Sequence, residues 1–192
     1  SDTSLTDNGR YPIYFSDGSM IPSLTRLSFS NNVTNVIALG GGTLTGSDTW
    51  NALGVPYLLT GGRTVSTGSS LTIGPGVEVQ FQQYGGLDIP GTLLANGTAS
   101  QPITFTGSTK QPGWWDGVSI TGNSVTRNTG SQLSYVTIEY GGRSYANLYL
   151  YYATVNISNS RFRNSAMDGI YGSSSGVANI SAWNYPYFVG SN

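Results

Sequence analysis

An apolar–polar–apolar triplet recurs down most of this chain, bracketed by Gly, Asn, Ser and Thr. It stands at Leu71-Thr72-Ile73, Leu87-Asp88-Ile89, Ile103-Thr104-Phe105, Val118-Ser119-Ile120, Val136-Thr137-Ile138 and Val155-Asn156-Ile157, with Ala178-Asn179-Ile180 as a weaker copy. Successive first residues lie 16, 16, 15, 18, 19 and 23 positions apart. A strand sends alternate side chains to opposite faces, so each triplet buries its outer residues and exposes the middle one. Short strands and turns at a loose period, with no helical pattern between them, specify a β-solenoid.

Composition narrows the function. The chain has 192 residues, enough for one domain with a sizeable core. Only 9% of them are charged, the net charge is −1, and Lys110 is the single lysine. No basic stripe exists for nucleic acid, and no apolar run approaches the ~18 residues of a membrane-inserting span. Cys and His are both absent, which removes thiolate metal sites, the commonest metal ligand and the usual general base. No cofactor or metal is implied. Polarity carried by Gly, Ser, Thr and Asn, with few lysines, is the composition of secreted bacterial surface proteins, so an extracellular or cell-surface location is expected. Nothing at Ser1 reads as a signal segment, so the chain is expected to begin after cleavage or to be an excised domain.

Residues 1–10 carry no core pattern and read as an N-terminal arm; residues 11–192 read as one β-helix domain. Strand-like runs stand at Tyr11–Phe15, Leu27–Phe29, Val36–Leu39, Pro56–Thr60 and Arg63–Val65. In LTIGPGVEVQF a Gly74-Pro75-Gly76 corner separates two alternating runs, giving two strands of one coil. Residues 123–132 read as a loop leaving the solenoid. About eight coils are expected, at ~4.8 Å each, for a rod on the order of 40 Å.

At LTIGPGVEVQF, GTLLANGTASQPITFTG, WDGVSI and LSYVTIEYGG the chain resembles the right-handed parallel β-helix repeat proteins of bacterial envelopes and secretomes. The resemblance covers about residues 40–192. It implies an all-β, right-handed parallel β-helix, and it implies no single activity, because that fold hosts lyases, hydrolases, adhesins and passive spacers. The pectate-lyase-like members would need clustered carboxylates for calcium and a basic catalyst, and no such cluster is visible.

The two ends match each other. Tyr11-Pro12-Ile13-Tyr14-Phe15 near the start parallels Tyr185-Pro186-Tyr187-Phe188 near the end. No amphipathic capping helix covers either end, and an uncapped solenoid exposes strand edges. Head-to-tail stacking of copies is therefore expected, into a filament or as tandem modules of a surface stalk, through Tyr11, Pro12, Tyr14 and Phe15 on one side and Trp183, Tyr185, Tyr187 and Phe188 on the other. The arm could add a strand to its neighbour.

Other candidates compete with ordinary structural roles. Asp17, Asp116 and Asp168 each precede Gly and read as turn residues. Glu78 and Asp88 occupy outward strand positions, and a solvated surface explains them better than glycoside chemistry does. Lys110 reads as an exposed loop residue, and Arg143, Arg161 and Arg163 as surface partners of Glu139 and Asp168. The outward Thr72, Thr104, Ser119, Thr137, Asn156 and Asn179 suggest a polar ladder. Aromatics cluster between Trp114 and Tyr152. Of these, Trp114, Trp115, Tyr145, Tyr149 and Tyr151 are the candidate sugar-binding residues, since a flat ring covers a pyranose face; core filling and subunit contact are the competing roles.

The reading is a non-enzymatic, extracellular structural module with itself as partner. The alternative is a carbohydrate-binding or adhesive module with glycans as partner, and a polysaccharide lyase or hydrolase ranks third.

Overall fold

A computed structural model describes residues 2–17 and 21–181 of the chain, and its described elements are strands, turns and bends. The described residues hold no helix, hence none long and apolar enough to cross a membrane. Three parallel sheets wrap one core. Sheet I has seven strands: β2 (Ile13–Phe15), β4 (Ile37–Leu39), β7 (Tyr57–Leu59), β10 (Glu78–Phe81), β13 (Ile103–Gly107), β16 (Val136–Glu139) and β19 (Arg161–Arg163). Sheet II has six: β5 (Gly42–Leu44), β8 (Arg63–Val65), β11 (Leu87–Ile89), β14 (Val118–Thr121), β17 (Ala146–Tyr151) and β20 (Asp168–Ser173). Sheet III has six: β6 (Ser47–Trp50), β9 (Ser70–Ile73), β12 (Thr92–Asn96), β15 (Gln132–Ser134), β18 (Thr154–Ser158) and β21 (Val177–Ile180).

The chain visits the sheets in the order I, II, III and then climbs one step, which makes a parallel β-helix. Such crossovers are right-handed. Seven strands in sheet I mean about seven turns, one fewer than the sequence suggests, and a rise of ~29 Å from first to last strand at ~4.8 Å per step. The triplet spacing is not the coil length. Leu71, Leu87 and Ile103 open triplets on sheets III, II and I in turn, so the pattern steps around the rod rather than along it. Register gives the true coil: Ile37 pairs with Tyr57, twenty residues on, whereas Phe105 pairs with Ile138, thirty-three on, because longer loops interrupt that turn.

Alternation within each triplet holds. The outer residues from Leu71 to Ile157 are buried and the middle ones are not. The inward residues stack in axial rows, such as Ile37–Tyr57–Val79–Phe105–Ile138 in sheet I and Ile89–Ile120–Leu150 in sheet II. These rows form one continuous core whose burial drives the fold. The weak copy behaves differently: Ile180, on the last described strand, stays 49% exposed. The outward polar residues form no single ladder, because they belong to three faces. Thr104 pairs with Thr137 on sheet I, and Asn179 Nδ2 donates to Asn156 Oδ1 (3.2 Å) on sheet III.

Within the leading arm, β1 (Thr3–Thr6) pairs in parallel with β3 (Leu27–Ser30), so its strand-forming capacity is used inside the chain. Ile13 and Phe15 of β2 pack against the core at the edge of sheet I. Tyr11 covers Val36, Ala38 and Leu58 on the outside of that sheet, and Tyr14 points out, half exposed. Trp183, Tyr185, Tyr187 and Phe188 lie outside the described residues.

Candidate functional site

One outward row of sheet II changes character along the rod. Register aligns Thr43, Thr64, Asp88, Ser119, Tyr149 and Tyr171, one per turn. Small polar residues fill the first turns and tyrosines the last two. Tyr145, just before β17, folds over the same place: its ring stacks on Tyr149 at 4.7 Å between centroids and on Tyr171 at 6.2 Å. Tyr149 and Tyr171 stack at 5.7 Å, and Tyr151 lies near-parallel to Tyr149 at 6.3 Å. Four near-parallel rings thus form one cluster, with Tyr152 edge-on to Tyr151 at its margin. Tyr145, Tyr151 and Tyr171 remain 51%, 37% and 38% exposed, too open for a core role.

The cluster is held from beneath. Leu148 and Leu150, flanking Tyr149 on β17, are fully buried in the core, which fixes Tyr149 outward. At the corner between sheets I and II, buried Asn147 donates to Ile138 O (3.1 Å) and Arg163 O (2.8 Å) and accepts from Gly141 N–H (2.9 Å). These bonds replace the strand pairing lost at the corner and set where β17 starts, hence where Tyr145 and Tyr149 project. Gly117 precedes β14 at φ 112°, and a Cβ there would meet Ala146 O at 2.2 Å, so only glycine lets β17 approach. Rings pinned against each other lose little freedom when a ligand arrives.

Polar groups rim the rings. The hydroxyls of Tyr149 and Ser173 lie 2.9 Å apart. Ser119, the register partner of Tyr149, is too small to cover its ring on that side. Beyond it stands Asp88, whose carboxyl is pushed above its ordinary range by burial, against the opposite pull of the Ile89 N–H and the Thr121 side chain. Arg143, two residues before Tyr145, is held by Asp116 (Nε–Oδ1 2.6 Å) and lies over the Tyr84 ring, and that carboxylate raises the guanidinium pKa.

Of the five aromatics expected to bind sugar, the structure brings Tyr145, Tyr149 and Tyr151 together and sends the two tryptophans elsewhere. Trp115 is a correction: it is fully buried, stacked on Phe81 at 3.9 Å and donating Nε1–H to Glu139 O, so it is core. Trp114 is half buried and spends its N–H on Phe81 O and Ser108 Oγ, both at 3.1 Å. Tyr171 was missed. It lies beyond the aromatic run, and only the register of β17 with β20 reveals it.

Two other places gather polar side chains. A groove of about 670 Å³ over sheet III is lined by neutral amides and hydroxyls, Asn96, Gln132, Ser134, Asn156, Ser158 and Asn179 among them, over apolar Leu133 and Ile157, and its described lining holds no aromatic ring for a sugar face. Three of the four Asn-x-Ser/Thr sequons fall here, at Asn96, Asn156 and Asn179. At the N-terminal end, Arg63 and Asp48 are inward, and Arg63 runs past Gly42, its register partner, toward Asp17 O. Asp48 accepts from Ile21 N–H and Trp50 Nε1–H (3.1 Å each). Burial, then the charge of Asp48, pushes the nearby Tyr57 hydroxyl up to about 12, and burial lowers the pKa of Arg63. Asp48 thus ties Ile21 to the core, and beside it lies a small pocket of about 240 Å³ lined by Ile21, Leu24, Asp48, Asn51 and Tyr57.

Catalytic geometry is sparse. Glu78 and Asp88 face away from each other on sheets I and II. Among the described residues no group of three Asp or Glu side chains is placed to hold a metal ion. No curated protein and no solved structure matches this chain. The family model for a pectate-lyase-like beta helix domain matches residues 42–166, more than half of the chain and most of the coils described above. On its fold, its repeat and that match, the chain belongs to the pectate-lyase-like β-helix family.

Proposed function

We propose that this β-solenoid module binds polysaccharide outside the cell, on the outward face of sheet II. The observation that carries the reading is the stacked cluster of Tyr145, Tyr149, Tyr151 and Tyr171, in which every ring but the half-buried Tyr149 is exposed. A sugar ring presents an apolar C–H face and a hydroxyl edge. Tyrosine rings with a serine rim match both, and exposed aromatic patches otherwise cost solubility. Recognition rather than bond cleavage is the role assigned, because the two acids beside the rings, Asp88 on β11 and Asp168 on β20, stand three strands apart, roughly 14 Å by the strand spacing and too far to work on one bond. A pull-down panel of plant and bacterial polysaccharides tests it: the full chain binds at least one, and Tyr149→Ala and Tyr171→Ala each release it. Retention by both variants would refute the reading.

End-to-end stacking is a second reading. It rests on strand edges: β2 at one end and β19, β20 and β21 at the other each have one paired strand among the described residues. Copies joined through those edges would line up their tyrosine faces along a stalk. Electron microscopy of the purified chain separates the outcomes: fibres with a repeat near one solenoid length support stacking, and monodisperse particles at high concentration contradict it.

A further inference from the structure

Resting on the reading of the tyrosine face as a polysaccharide site, we infer that this face selects uncharged chains and rejects polyuronates. The axial row that carries Tyr149 and Tyr171 also carries Asp88, two turns away, with only Ser119 between Asp88 and Tyr149. A chain lying along the rod over Tyr171 and Tyr149 meets Asp88 next, since a hexose advances about as far as one solenoid turn, ~4.8 Å.

Asp88 pairs with no cation among the described residues. Sheet II offers no compensating base either: its strands hold one basic residue, Arg63, which is buried and inward. A second acid, Asp168, opens β20 at the rim, its N–H donating to Tyr145 O. Arg143 at the same rim is neutralised by Asp116. Arg127 lies across the opposite corner and spends its guanidinium on Ala153 O, Thr154 Oγ1 and Ser175 O. A polyuronate places one carboxylate on every sugar, so it meets like charge at Asp88 without a cation to offset it. Like charges set face to face act as a filter on partners. A neutral sugar instead gives its hydroxyl hydrogens to the Asp88 carboxylate, an acceptor with spare lone pairs.

Calorimetric titration of the full chain in EDTA at pH 7, with xylohexaose, cellohexaose and hexagalacturonate, tests the inference. At least one neutral hexamer binds about tenfold or more tighter than hexagalacturonate. Asp88→Asn narrows that gap by about threefold or more, and Arg127→Gln leaves neutral binding within about twofold. Hexagalacturonate binding as tightly as the neutral hexamers, or a gap unmoved in Asp88→Asn, overturns the selectivity while leaving the tyrosine site standing. Absence of binding by every hexamer removes the tyrosine site itself, and the selectivity with it.

Discussion

The outer faces of sheets I and II share one backbone plan and do opposite things with it. On sheet I one outward row runs Gln80, Thr106, Glu139, Arg163, and most of its members bond to one another. Arg163 Nε meets Glu139 Oε2 at 2.7 Å, the Thr106 hydroxyl donates to Glu139 Oε1 at 3.2 Å, and Lys110 from the covering loop donates to Thr106 at 2.7 Å. Thr106 and Glu139 end up buried although they point outward. On sheet II the corresponding row ends in tyrosines that no described loop covers. Inward rows thus hold the rod together on every face, while each outward row is free to be sealed or left available. Among the described residues the uncovered stacked rings lie on sheet II.

Substitutions can break that contrast, and the largest effect belongs to neither outer face. Trp115→Ala removes a buried ring stacked on Phe81 and costs about 3–5 kcal/mol, read as a drop in Tm on the order of 10 °C. Next comes the sealed face. Arg163→Ala strands the mostly buried Glu139 carboxylate with one hydroxyl donor and costs about 1–3 kcal/mol by denaturant unfolding, with polysaccharide binding unchanged. Loss of binding in that variant would dissolve the division between faces. Tyr149→Ala inverts the pattern: it loses about 0.5–1.5 kcal/mol of ring stacking, but binding falls by tenfold or more.

The smallest effect is a pH dependence. Burial raises the Asp88 pKa above its ordinary 3.8, so the folded state holds this proton more tightly than the unfolded chain does. Stability from this group is therefore greatest at acid pH and declines as pH climbs from about 3.8 through the raised value. Asp88→Asn abolishes that decline, visible as a flatter plot of Tm against pH than the parent gives. An unchanged plot would mean that Asp88 is as well solvated folded as unfolded.

Much of this was legible in the sequence. Leu71-Thr72-Ile73 and its copies gave alternation, strand type and the absence of helix, because a period of two is written in single residues. Register was not written there. Loops between strands vary in length, so the pairing of Phe105 with Ile138 could not be read from spacing, and triplets on three faces looked like one ladder. The same gap hid Tyr171, which lies twenty-two residues past Tyr149 yet stacks on it. Trp114 and Trp115 were misplaced for a different reason. Adjacent residues in a turn do not alternate as strand residues do, and the sequence does not say which of the two enters the core.

The most direct measurement is tyrosine footprinting. The full chain is treated with a tyrosine-acylating reagent with and without a saturating polysaccharide from the binding panel, and each tyrosine is quantified by mass spectrometry. Protection confined to Tyr145, Tyr149, Tyr151 and Tyr171, with Tyr14 and Tyr84 still reactive, is the expected result. Protection at Tyr14 or Tyr84 while the sheet II tyrosines stay reactive would contradict it.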